Sequence, residues 1–268
     1  MADETAPHPD EPAGDRSVVL TGGARMPLVG FGTWQLSGRR AYRAVRTALD
    51  VGYRSIDTAT MYDNEAQVGR AICDSGISRE QLFVTTKLHP SDAGRERATI
   101  EASLAALGLD HVDLWLIHWP PGGAGVRTWE QFLAARDDGL ATSVGVSNYG
   151  IAEIDELVAA TGDTPAVDQV PWAPPLFDAG LLAACRRRGV MLEGYSPFKR
   201  TDLRDATLAA IARRHGVTPA QVVLRWHVQH RVVAIPKSAT PRRIAENLDV
   251  FGFALSGDEM RSLDGLGR

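Results

Sequence analysis

Cysteine is scarce: only Cys73 and Cys185 occur in 268 residues, with no CxxC or metal-ligand spacing. Neither a disulfide framework nor a metal site is expected, and both thiols read as buried. No apolar run is long enough to cross a bilayer. Residues 1–16 are rich in Pro, Asp and Glu and lack the apolar segment of a signal peptide. They read as a disordered tail ahead of a single domain over 17–268. Excess positive charge is missing too. With 29 Lys and Arg against 33 Asp and Glu, net −4 and interspersed, the chain offers no basic face for nucleic acid. The composition therefore points to a cytoplasmic globular protein, a monomer by expectation, whose partners are small molecules, with no membrane and no nucleic acid among them.

What is present is alternation. Val18-Val19-Leu20 and Met26-Pro27-Leu28 flank Thr21-Gly22-Gly23, a turn whose glycines supply positive φ, so a small N-terminal hairpin is expected. Strand-like runs then fall at 28–31, 55–58, 82–87, 113–118, 142–146, 166–170, 191–195 and 232–236. Most are continuous apolar stretches, as expected for strands covered on both faces. Between them, Ile100, Leu104 and Leu107 recur at helical spacing before Gly108, and Ile151, Ile154, Leu157 and Val158 do the same. Thr218-Pro219 and Thr240-Pro241 each set a capping residue ahead of a first-turn proline, so both should start helices. Eight strands within about 250 residues match a (β/α)8 barrel. A doubly wound sheet would open on GxGxxG, and Gly30-Phe31-Gly32-Thr33 is not that motif. The fold class expected is α/β, a (β/α)8 TIM barrel whose N-terminal β-hairpin closes the bottom.

In such a barrel the chemistry sits at the C-terminal strand ends. Those ends carry Gly32-Thr33-Trp34, Asp57 with Tyr62 just beyond, Lys87, His118, Ser147-Asn148, Gln169, Tyr195-Ser196 and Lys237-Ser238. Singly, each has a structural explanation: an Asp–Lys ion pair, a hydrogen-bonded core histidine, a Ser-Asn turn. Their shared position makes Asp57, Tyr62, Lys87 and His118 a proton-donating group. An ordinary phenol titrates near about 10, and bringing it down by one pH unit takes about 1.4 kcal/mol. Lys87 would stabilise the phenolate, Asp57 would keep the ammonium charged and fixed, and His118 would hold a substrate oxygen within reach of Tyr62.

These stretches resemble the aldo-keto reductase family. The resemblance rests on Gly30-Phe31-Gly32-Thr33-Trp34, Asp57-Thr58-Ala59 with Tyr62 and Glu65, Thr86-Lys87, Leu116-Ile117-His118-Trp119-Pro120 and Gly145-Val146-Ser147-Asn148. Tyr195-Ser196-Pro197, Ile235-Pro236-Lys237-Ser238, Arg243-Ile244 and Glu246-Asn247 follow, so that it covers roughly residues 18–251. It implies that Asp57, Tyr62, Lys87 and His118 are the catalytic tetrad and that NADPH lies across the mouth, against Gly32, Thr33 and Trp34 among others. By the same resemblance Ser147, Asn148 and Gln169 bind the carboxamide, Tyr195 followed by Ser196 stacks on the nicotinamide, Lys237, Ser238 and Arg243 take the 2′-phosphate, and Glu246 and Asn247 reach the adenine. NADPH is then preferred over NADH, and the reaction is reduction of aldehydes or ketones. Lys199-Arg200 would close over the pyrophosphate. Trp34 and Trp119, with Tyr62, would wall an apolar substrate pocket, while Trp129, Trp172 and Phe177 read as packing.

Two departures stand out. After Gln169 the family pattern continues with an acid, then His or Asn and Pro, whereas this chain reads Val170-Pro171-Trp172-Ala173-Pro174, and Pro171 removes a backbone donor. The chain also ends at Arg268, soon after its last helical segment, as in bacterial-type members with a short C-terminal loop, so an open mouth tolerant of many carbonyl compounds is expected. Two rival readings carry over. One is an NADPH-binding regulatory protein with slow turnover, similar to potassium-channel β subunits. The other is a barrel isomerase or aldolase using Lys237-Ser238 for a substrate phosphate.

Overall fold

The computed structural model describes residues 16–266, so the tail expected over 1–16 lies, except for Arg16, outside the described residues. The chain opens on β1 (Ser17–Val19) and β2 (Arg25–Pro27), paired antiparallel with Val18 opposite Met26. Eight strands follow: β3 (Phe31–Gly32), β4 (Ser55–Asp57), β5 (Phe83–Leu88), β6 (Val112–Ile117), β7 (Ala141–Ser147), β8 (Val167–Pro171), β9 (Met191–Tyr195) and β10 (Val233–Ile235). They pair in parallel, each with its sequence neighbour, from β3 round to β10. The 28–31 run is shared between its two neighbours. Phe31–Gly32 pairs with β4, while a bridge from Val29 to Ala234 of β10 brings the sheet round into a barrel.

Helices α1 (Gly38–Asp50), α2 (Glu65–Cys73), α3 (Glu96–Leu107), α4 (Val126–Asp137), α5 (Ile151–Thr161) and α6 (Ala179–Arg188) return the chain between strands. After β9 come α7 (Ala206–His215) and α8 (Pro219–Gln229), and after β10 come α9 (Pro241–Leu248) and α10 (Gly257–Asp264). The periodic stretches thus become α3 and α5, and Gly108 stops α3 in the left-handed region at φ 67°. Both Thr-Pro pairs start helices, α8 and α9. Gly145 is required on β7: a Cβ there would meet the Val167 carbonyl oxygen at 2.6 Å.

The hairpin sits at the N-terminal ends of the strands. Thr21 donates to the Gly189 carbonyl ahead of β9, Arg231 ahead of β10 donates to the Ser17 carbonyl, and Val18, Leu20 and Met26 are buried. Between barrel and helices, Trp115 of β6 stacks on Phe132 of α4 with ring centroids 3.6 Å apart. Each fully buried apolar side chain of this layer contributes roughly 1.5–3 kcal/mol. One expectation is corrected: Cys185 is buried, but Cys73 is exposed, because it falls one helical step past the buried Ala71 and Ile72 of α2. Among the described residues no helix is long and apolar enough to cross a membrane.

Candidate active site

Asp57 ends β4 and Lys87 lies near the end of β5, both buried inside the barrel. The Lys87 ammonium donates to the two Asp57 carboxylate oxygens at 2.6 and 2.7 Å and to the Thr58 carbonyl at 2.8 Å. Burial pushes the Lys87 pKa down, but the charge and hydrogen bonding of Asp57 together with the charges of Tyr62 and Glu193 outweigh it, and the net shift is upward. The lysine is a fixed cation.

Tyr62 follows β4 on a 3-10 turn, Thr60–Tyr62, with the Lys87 ammonium 5.1 Å from its ring centroid. Burial raises the phenol pKa and outweighs the charge and hydrogen bonding of Lys87, which pull it down. The expectation of an acidified phenol is therefore adjusted: in the protein alone Tyr62 keeps its proton at neutral pH, and Lys87 limits how far burial pushes it. His118, just past β6, meets the Tyr62 ring edge-on at 5.8 Å and stacks on Trp119 at 4.1 Å. Burial, with the charges of Lys87 and His89, lowers its pKa to about 2. It is a neutral imidazole at physiological pH, and its Nδ1 is buried without a partner among the described residues.

Two residues that complete this group escape a reading of the sequence. Asn64 precedes α2 and reads as a helix cap, yet it makes no side-chain cap bond. Its amide nitrogen instead donates to the Thr33 and Leu36 carbonyls at 3.0 and 2.8 Å, and its oxygen accepts from the Thr58 hydroxyl at 2.6 Å. It ties the Trp34 loop to the turn that carries Tyr62. Glu193 is fully buried on β9. The Gln169 amide nitrogen donates to Asp57 Oδ2 at 2.9 Å and to Glu193 Oε2 at 2.8 Å. Burial and then the Asp57 charge push the Glu193 carboxyl up to about 8, against the Gln169 bond and the Lys87 charge. The one signal in the sequence was an acid in the middle of a strand expected to be covered on both faces.

Beside the four, the ends of β7, β8 and β9 knit together. Ser147 donates to the Gln169 carbonyl at 2.7 Å, and the Asn148 amide donates to the His118 carbonyl and the Ser147 hydroxyl at 3.0 Å each. Tyr195 donates to Asn148 Oδ1 at 2.8 Å. Asn148 and Ser196 hold left-handed backbone, φ 63° and 54°, which asparagine tolerates better than most residues. Gly32 lies close under β10, where a Cβ would sit 3.0 Å from the Ile235 carbonyl oxygen. Thr33 is buried and donates to the Asp57 carbonyl.

Beyond β10 the two Thr-Pro helix starts differ. Thr218 caps α8 reciprocally with Gln221, whereas Thr240 makes no side-chain cap on α9, and the Ser238 hydroxyl accepts from the Thr240 amide. The first turn of α9 stands open beside the exposed Lys237 and Arg243. Glu246 is held by Arg242 at 2.7 Å, and Asn247 is buried on the inner side of α9 with Ile244.

Five large apolar side chains are exposed among the described residues, and Trp34, Met61 and Trp119 of these stand at the mouth. Met61 precedes Tyr62 on the same turn. Trp129 and Trp172 are fully buried, and Phe177 packs edge-on against Trp172 and Trp226, so all three are packing residues. Lys199, in the segment after β9, stands 5.9 Å from the Trp34 ring centroid. Pro171 does not break β8: it stays in register opposite Tyr195, and Trp172 resumes bonding to the Tyr195 carbonyl at 3.3 Å.

A buried lysine on an aspartate, a tyrosine and a neutral histidine at the rim of an eight-stranded barrel is thus the geometry to be matched. The model of the Aldo/keto reductase family matches residues 28–268. The chain belongs to the aldo/keto reductase family. It is 46% identical over 255 residues to an aldo-keto reductase of Mycolicibacterium smegmatis, covering 93% of this chain and 90% of that one. It is 43% identical over 267 residues to the morphine 6-dehydrogenase of Pseudomonas putida, again covering 93% and 90%. Among solved structures, an aldo/keto reductase from Brucella melitensis superposes with TM-score 0.90 at 40% identity, covering 92% of this chain and 96% of that one. As an aldo/keto reductase the protein is an oxidoreductase of a family that acts on carbonyl groups with nicotinamide cofactors.

Proposed function

We propose that this aldo/keto reductase reduces aldehydes and ketones to alcohols with NADPH, Tyr62 giving the proton. The observation that carries the reading is the buried Lys87 ammonium, fixed on Asp57 at 2.6 and 2.7 Å beneath a phenol that keeps its proton. The residues present fit the cofactor. The uncapped first turn of α9 with Lys237, Ser238 and Arg243 suits a phosphate, and Ser147, Asn148 and Gln169 lie in one patch suited to a carboxamide, with the Tyr195 ring beside them to stack on the nicotinamide.

Reduced nicotinamide, when bound, supplies a hydride to the carbonyl carbon. The chain does the rest. Trp34, Met61 and Trp119 hold the substrate's apolar part, and neutral His118 and the Tyr62 hydroxyl receive its oxygen. As negative charge grows on that oxygen, the phenol O–H bond breaks and its proton moves there. The phenolate left behind faces an ammonium that cannot turn away, because Asp57 and the Thr58 carbonyl hold it. Solvent at the mouth then returns the proton to Tyr62. The enzyme works as a cytoplasmic monomer in this reading, with NADPH favoured over NADH through Arg243 and Lys237. The test is oxidation of NADPH against a panel of aldehydes, ketones and α-dicarbonyls, with Tyr62→Phe as control. Turnover that survives the substitution sinks the reading, and slow turnover with every compound favours the regulatory alternative.

A further inference from the structure

Glu193 has no part in the proton step just described, yet its placement is specific. It is fully buried on β9, Oε2 accepts from Gln169 at 2.8 Å, and Oε1 has no partner among the described residues. The same Gln169 nitrogen donates to Asp57 Oδ2 at 2.9 Å, and Asp57 holds Lys87. Both hydrogens of one amide are therefore committed, one to each carboxyl group. We propose that Glu193 is a positioning residue: through Gln169 it sets the Asp57 carboxylate, and so the ammonium that acts on the Tyr62 phenol, and it does so as the neutral acid.

The charges about it require the neutral form. Facing Glu193 are Asp57 from β4, Lys87 from β5 and Gln169 from β8, while its paired residue on β10 is the uncharged Val233. One cation and one anion already balance there. A second carboxylate would leave a net negative charge in a buried space, which is costly and which opposes formation of a phenolate at Tyr62. Burial drives its carboxyl toward the protonated form, so the neutral acid holds at neutral pH and gives way in mild alkali. Glutamine at 193 would keep a carbonyl oxygen to accept from Gln169 and could never ionise. Leucine would leave the second Gln169 hydrogen without an acceptor and free the amide to turn away from Asp57.

The inference rests on Tyr62 being the proton donor, and its test separates the two. In protein without cofactor, tyrosinate absorbance is titrated in the wild type and in Glu193→Gln, each compared with its Tyr62→Phe counterpart to isolate the Tyr62 signal. The expected result is that Tyr62 ionises at a pH lower by about 0.5 or more in Glu193→Gln, since no second anion develops beneath it. In carbonyl reduction, Glu193→Gln should stay within about threefold of wild-type kcat at pH 7 while its alkaline fall moves up by about one pH unit. Glu193→Leu should lose about tenfold or more in kcat with NADPH affinity kept within about threefold, the loss of an aligned proton donor rather than of binding. An unchanged Tyr62 titration and an unchanged kcat profile in Glu193→Gln overturn the proposal, whether or not Glu193→Leu folds. If Tyr62→Phe keeps full turnover, the proposed function fails instead, while the cofactor-free titration still decides what Glu193 does.

Discussion

At the scale of single residues, most of the chemistry reduces to how charge is arranged around Lys87. Replacing Tyr62 by Phe removes the donor and keeps the ring, so kcat should fall about 10²–10⁴-fold, with cofactor affinity by fluorescence titration unchanged. Asp57→Asn leaves a buried ammonium without its counter-charge, which costs about 3–5 kcal/mol. The expected readout is a lower urea midpoint at unchanged slope, together with lost activity. That Asp57, Tyr62, Lys87 and His118 come together was legible in the sequence because each is a polar residue ending, or just beyond, an apolar run. Asn64 and Glu193 were not. A helix-opening Asn has the same letter whether it caps or turns inward, and in a strand buried on both faces the pattern cannot say which face a carboxylate takes. Cys73 was misplaced for a related reason, since one step along α2 rotates a side chain from core to solvent.

Elements decide where those residues stand. The eight strand runs were readable as runs, but the sharing of the first between β4 and β10 depends on barrel closure, a contact across the whole chain. The paired Thr-Pro starts make the point experimentally. Thr218→Ala removes the α8 cap and should cost about 1 kcal/mol in denaturant unfolding, whereas Thr240→Ala, with no cap bond to lose, should be nearly neutral. In the proposed binding mode only the 2′-phosphate meets the Arg243 guanidinium, so Arg243→Ala should weaken NADPH by about tenfold or more and NADH hardly at all. Equal losses for both cofactors would remove the 2′-phosphate role. Lys199→Ala with Arg200→Ala should weaken NADPH several-fold if the segment after β9 closes over the pyrophosphate. Lys199 already stands 5.9 Å from the Trp34 ring, which brings this segment next to the loop after β3.

For the molecule as a whole, stability carries a pH signature away from the site. Asp168 of β8 is fully buried, accepts only a long 3.5 Å contact from the Tyr149 amide, and leaves Oδ2 without a partner among the described residues. Burial pushes its carboxyl from 3.8 up to about 8. Between those values the folded state binds the proton that the unfolded chain has released, so this group makes stability fall as pH rises, and the loss is complete above about 8. Asp168→Asn should accordingly gain on the wild type between pH 5 and pH 9 in thermal unfolding, and parallel curves for the two would refute the assignment. With Trp34, Met61 and Trp119 exposed at the mouth, the expected outcome of a substrate panel is turnover of many apolar carbonyl compounds without a dominant one. A panel in which one substrate exceeds the rest by more than about a thousandfold would contradict this.

The two sulfhydryls have opposite fates. Burial drives the Cys185 thiol up to about 12 and out of reach, while Cys73 ends α2 in solvent, at the pole of the barrel opposite the mouth. A maleimide dye should therefore label the native enzyme once, at a point where it reports tumbling and unfolding while leaving turnover untouched.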